Sequence, residues 1–153
     1  MKKVLSILLV LFAFTVYGEG PVVPKLVKEN FEHKFELAED VTWEIQNGLF
    51  EATFYLEEDL IIALFTSKGE WVETATNIYS DEITDVVLNA LTEKFDDYNI
   101  ENAYRVENNT DEKFFRITIG TEEENYLVNV LKSGKILNFK KIVLTVNDEE
   151  DEE

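Results

Sequence analysis

The sequence predicts an α+β fold in which tandem helix-plus-four-strand units pool their strands into one antiparallel sheet, with both helices on one face. Three observations predict it. First, the stretch from Phe50 to Trp71 returns 65 positions later from Phe115 to Ile136. Phe50-Glu51-Ala52-Thr53-Phe54 matches Phe115-Arg116-Ile117-Thr118-Ile119, Glu57-Glu58-Asp59 matches Glu122-Glu123-Glu124, and Ser67-Lys68-Gly69-Glu70-Trp71 matches Lys132-Ser133-Gly134-Lys135-Ile136. Second, each copy alternates apolar and polar residues, turns on the acidic triplet, runs apolar again and turns on a glycine, which is the pattern of an antiparallel meander. Third, a stripe of apolar residues at helical spacing precedes each copy.

Taken in order, Lys2-Lys3, the apolar run Val4 to Val16 and Tyr17-Gly18-Glu19-Gly20 have the three parts of a secretory signal, so residues 1–18 read as a signal peptide cut after Gly18, with Gly20 the second choice. The apolar run is shorter than the ~20 residues a spanning helix needs. Residues 19–24 form an extended lead-in containing Gly20, Pro21 and Pro24. The first repeat, residues 25–79, opens with a helix from Lys25 to about Leu37, whose stripe is Val27, Phe31 and Phe35 with Ala38 near it. His33 falls on the opposite side. Val41, Trp43 and Ile45 point inward from the first strand, which ends at Asn47-Gly48, a strong hairpin signal. Leu49 to Leu56 alternates again, and Leu60 to Phe65 is apolar on both faces, as in a strand covered on each side. A fourth strand runs from Trp71 to Ile78.

The second repeat, residues 80–146, starts with a helix capped by Ser80 or Asp81, with the stripe Ile83, Val87, Ala90, Leu91 and Phe95. Strands follow at Ile100 to Glu107, Phe114 to Gly120, Tyr126 to Leu131 and Ile136 onward, the last prolonged by Val143 to Val146. Residues 147–153 are almost wholly acidic and read as a disordered tail.

Composition bounds the function. The 153 residues carry 14 basic and 32 acidic side chains, a net charge of -18, which repels phosphate backbones and anionic membranes. Nucleic acid is thereby disfavoured as a partner. Cysteine is absent, which excludes disulfides, thiolate nucleophiles, thiolate zinc sites and a lipidated cysteine after the signal. The fold must hold by packing alone.

With Phe35, Ala38, Val41, Trp43, the Phe50 to Phe54 alternation, Lys68-Gly69-Glu70-Trp71 and a second helix followed by another such set, the chain resembles the PepSY-like family of secreted, β-lactamase-inhibitor-like proteins over roughly Val23 to Phe139. Glu36 stands where that pattern often has a proline, and Ser80 to Ile83 lacks the proline that often opens the second helix. The resemblance implies the tandem fold described above, export to the periplasm or beyond, and no catalytic machinery. It carries over no contact residue.

The residues agree with a non-enzyme. Serines are scattered, none in a Gly-x-Ser-x-Gly setting, and the single histidine has no evident second group to position it. No catalytic residue, cofactor or metal ligand is therefore expected. Calcium is the one cofactor to weigh, since the acidic triplets and tail offer hard oxygen ligands, but no Asp-x-Asp-x-Asp-Gly loop is present. The remaining candidate is a surface. If Phe50, Ala52, Phe54, Ile61, Ala63 and Phe65 face the helices, then Thr53, Tyr55, Leu60, Ile62, Leu64, Phe114, Arg116, Thr118 and Leu127 lie on the opposite side of the sheet as an apolar patch with few charges. The expected function is a secreted binding module that engages a protein partner, or a second copy of itself, through that open face, as an inhibitor or folding accessory. The alternative is a calcium-responsive acidic envelope protein.

Overall fold

A computed structural model describes residues 20–143; the expected signal peptide, the acidic tail and the strand extension beyond Val143 lie outside them. The elements run α1 (Lys25–Lys34), β1 (Glu39–Gln46), β2 (Leu49–Leu56), β3 (Asp59–Phe65), β4 (Trp71–Asn77), a 3-10 turn (Ser80–Glu82), α2 (Asp85–Lys94), β5 (Asn99–Asn108), β6 (Lys113–Gly120), β7 (Asn125–Leu131) and β8 (Ile136–Ile142). The eight strands pair in sequence order, every neighbour antiparallel, in one sheet.

Register shows which way each side chain faces. Ile61, Thr76, Arg105, Phe115 and Val130 lie side by side across β3 to β7, so they share one face. Ile61 belongs to the cluster under α1, with Val27, Phe31, Ala52, Phe54, Ala63 and Phe65. Phe115 and Val130 belong to the cluster under α2, with Val87, Leu91, Ile117, Ile119 and Val128. Both helices therefore cover the same side of the sheet, and among the described residues the other side has no helix on it. Burying each such side chain fully contributes about 1.5–3 kcal/mol, which is what holds two ten-residue helices too short to be stable alone.

The two halves are built alike at their turns. Gly69 and Gly134 both have positive φ, +80° and +85°, and each sits against the helix of its own half. A Cβ on Gly69 would come within 3.0 Å of the Leu26 carbonyl, and one on Gly134 within 3.1 Å of the Val86 carbonyl. Each turn is closed by the same pair of backbone bonds: Gly69 N–H to Thr66 O and Thr66 N–H to Glu70 O in one, Gly134 N–H to Leu131 O and Leu131 N–H to Lys135 O in the other.

Some local expectations need correction. The first helix stops at Lys34, and Phe35 caps it with its N–H on the Phe31 carbonyl, so Phe35 and Ala38 pack from the connection rather than from the helix. The second helix starts after Thr84, because Ser80–Glu82 forms a separate 3-10 turn in which Glu82 accepts from the Tyr79 N–H. Ile83 and Phe95 therefore flank the helix instead of belonging to its stripe. Val41 and Ile45 share the helix-side face with Trp43 but stay 37% and 56% exposed, since β1 is an edge strand at the margin of the helix layer, where α1 packs on Trp43.

Candidate functional site

The helix-free side of the sheet holds all nine residues expected there, and register sorts them into rows. One row runs Thr42, Thr53, Ile62, Ala75, Val106, Phe114 and Leu131 across β1 to β7. A second runs Asn77, Tyr104, Arg116, Asn129 and Asn138 across β4 to β8, with the pair Tyr55 and Leu60 at the β2–β3 side of the same face. Glu44, Glu51, Leu64 and Glu73 form a third on β1 to β4, and Asn102, Thr118, Leu127 and Lys140 a fourth on β5 to β8.

Two features differ from a flat apolar patch with few charges. The centre of the face is closed: Val106 is 0% exposed and Phe114 8%, although no helix covers them. Ile62, Tyr104, Leu131 and Leu137 pack around them, so this side has a small core of its own. Phe114 is consequently a support beneath the surface, not a contact point on it. Tyr55, by contrast, is 44% exposed, and Thr53, Leu60, Ile62, Leu64, Arg116, Thr118 and Leu127 are half-buried.

The face is also charged in an ordered way. Arg116 lies over the Phe114 ring, 5.5 Å from its centroid, and makes a forked pair with Glu73, Nη1 to Oε1 at 2.5 Å and Nη2 to Oε2 at 3.1 Å. Its Nε donates to Asn129 Oδ1 at 3.2 Å, and Asn129 Nδ2 donates to Asn138 Oδ1 at 2.9 Å. The guanidinium is thus fixed by three bonds across β4, β6 and β7, which makes it a rigid feature rather than a waving charge. Burial, reinforced by Glu44 and Glu73, pushes the Glu51 carboxyl above its usual range. The β1 to β4 part of the face is therefore acidic, whereas the β5 to β8 part carries Arg116, Lys140 and amides.

Glu73, Tyr104, Asn129 and Asn138 were not singled out from the sequence. Their only signal is alternation with neighbours already assigned to the helix side. The Arg116–Glu73 pairing spans 43 positions and needs the register of β4 through β6 to be seen.

The other candidate chemistry does not assemble. His33 is exposed on α1 and its side chain makes no hydrogen bond or ion pair among the described residues. Among the described residues no three His, Cys, Asp or Glu side chains converge to hold a metal ion. Of the acidic turns proposed for calcium, Glu57–Asp59 connects β2 and β3 in solvent, while Glu124 is engaged by Lys141 and by the Tyr126 hydroxyl at 2.6 Å. Those two bonds, Lys141 first, hold its carboxyl below the usual range. No helix among the described residues is long and apolar enough to cross a membrane.

No protein-family model and no curated protein matches the chain. Solved structures do share the fold. A protein described as periplasmic from Bacteroides eggerthii superimposes with a TM-score of 0.72 at 21% identity, over 80% of this chain and 91% of that one. A DUF2874 family protein from Bacteroides ovatus does so at 0.71 and 24% identity, over 80% and 89%. A BLIP-like protein from Bacteroides fragilis does so at 0.67 and 18% identity, over 86% and 93%.

Proposed function

We propose that the protein is exported and acts in the periplasm or outside the cell as a non-enzymatic, PepSY-like binding module, engaging a protein partner through the helix-free face of its sheet as an inhibitor or folding accessory. The observation that carries this reading is that face itself. It extends across eight strands with no covering layer among the described residues and presents half-buried aliphatic side chains beside a pinned Arg116–Glu73 pair. Fixed charged and aromatic groups among apolar ones are what a protein interface uses for specificity and for affinity respectively.

Export is supported by Lys2-Lys3 and the apolar run that follows, and by the fold shared with the Bacteroides eggerthii protein. The inhibitor role draws on the fold shared with the BLIP-like protein. Thr53, Tyr55, Leu60, Ile62, Leu64, Arg116, Thr118 and Leu127 form the contact surface in this reading, with Phe114 holding it from below.

The test is capture of a partner from the envelope of the source cells by the immobilised protein. Tyr55→Asp and Leu60→Asp on the open face should abolish capture while melting near the wild-type temperature. Val86→Asp, on an exposed helical position of the other side, should capture normally. Capture retained by both open-face variants would reject the surface, and a captured species identical to the bait would identify a second copy as the occupant.

A further inference from the structure

The helical side of the sheet has a gap beside the 3-10 turn and the start of α2, and the gap is chemically unlike the rest of the molecule. A cleft of about 280 Å³ opens there over β5 and β6. Its floor is apolar, with Ile78 and Phe115 contributing. Its rim carries Arg105, Lys113 and Lys132, with the Glu82 carboxylate beside Arg105.

Three cations around one small cleft stand out in a chain of net charge -18. Their partners do not consume them. Arg105 reaches Glu82 only at 3.7 Å and Lys113 reaches Glu107 only at 3.6 Å, all four side chains being about half exposed or more. Lys132 makes no ion pair among the described residues. Exposed pairs of this kind contribute little to stability and exchange readily for a better anion. The wall adds a further unspent group. Thr84 lines the cleft at the N-terminal end of α2, makes no capping hydrogen bond, and its Oγ1 is the one enclosed side-chain polar atom without a partner among the described residues. The helix end beside it favours a negative charge nearby.

We infer that this cleft binds a small amphipathic carboxylate, its apolar body on Phe115 and Ile78 and its charge among Arg105, Lys113 and Lys132. The volume sets the size: it falls just below the ~300–1,000 Å³ of sites for drug-sized molecules, so the ligand is a short acyl or aryl acid and not a lipid or a folded partner. The site lies on the other side of the sheet from the proposed protein-binding face, and the two readings stand or fall separately.

Octanoate and 1-octanol, which share the apolar chain and differ in charge, are the probes. In titrations of the 15N-labelled protein, octanoate should give saturable amide shifts at Ile78, Thr84, Phe115 and Lys132 in the millimolar range or below, with 1-octanol about tenfold weaker. The double variant Lys113→Ala/Lys132→Ala removes two exposed rim charges, should keep the wild-type spectrum elsewhere, and should weaken octanoate binding about tenfold while leaving 1-octanol unchanged. No saturable shift at these residues up to about 10 mM octanoate overturns the proposal. So do equal binding of the alcohol, which would mean an apolar hollow without anion recognition, and unchanged octanoate affinity in the double variant.

Discussion

The two halves reach the same architecture with differently distributed core volume. Under α1, Phe31 meets Phe54, Phe65 and Trp43 edge to face, with centroids 5.0, 6.2 and 5.2 Å apart, and Ala52 and Ala63 lie fully buried between the rings. Under α2, Leu91 stands in the place of Phe31, Ile117 and Val128 in the places of Ala52 and Ala63, and Ile119 and Val130 in the places of Phe54 and Phe65. One half concentrates volume in a few rings and makes room with alanine. The other spreads it over branched aliphatics. Because interiors are packed to a fixed density, what repeats between the copies is total volume and the side each residue faces, not residue identity.

The difference predicts unequal responses to equivalent substitutions. Removing the ring at the centre of the first cluster, Phe31→Ala, should cost about 3–5 kcal/mol, and Leu91→Ala about 2–5 kcal/mol with the branched aliphatic neighbours closing in more readily. Chemical denaturation of both variants checks the order; a larger loss for Leu91→Ala would break the contrast. The exchange of volume sharpens it further. Ala63→Val should overpack the first half by about 1–3 kcal/mol, and combining it with Phe31→Leu should recover at least ~0.5 kcal/mol relative to the sum of the two single changes. Strict additivity would show that the alanines are not there to admit the ring.

At the turns the halves should behave alike. Gly69→Ala and Gly134→Ala each place a Cβ in left-handed backbone against a helix carbonyl, and each should destabilise by about 1–2 kcal/mol. A loss in only one of them, read from melting temperature, would show that one helix gives way and that the shared turn is not a shared constraint.

The smallest expected effect concerns charge on the open face. Glu51 binds its proton more tightly folded than unfolded, so the stability associated with the protonated form is fully present below the ordinary carboxylate range and is lost as pH rises through the raised folded value. Glu51→Gln should therefore melt slightly above wild type at pH 7, by an amount on the order of 1–2 °C, and the gap should close toward pH 4. A gap that widened on acidification would contradict the cause assigned, namely burial beside Glu44 and Glu73.

Much of this was legible in the chain because antiparallel neighbours in sequence order need only alternation and turn residues to specify them. Asn47-Gly48, Gly69 and Gly134 mark turns by their backbone demands, and the alternation from Phe50 to Phe54 tells inside from outside. What escaped depends on position in the finished sheet. Val41 and Ile45 look as inward as Phe50 and Phe54, and only their place on an edge strand leaves them exposed. Phe114 looks like a surface aromatic until Ile62, Tyr104, Leu131 and Leu137 are brought around it from four other strands. Ser80 and Asp81 match the capping pattern earlier in the chain than Thr84, yet they form the 3-10 turn and Thr84 is the residue before the helix.

The functional account rests on one face of the sheet, and methyl NMR of the protein with its captured partner tests it most directly. The account predicts that methyl signals of Leu60, Ile62, Leu64 and Leu127 broaden or shift on complex formation while those of Leu26 and Val86, exposed on the helical side, stay in place. Perturbation confined to Leu26 and Val86 would contradict it.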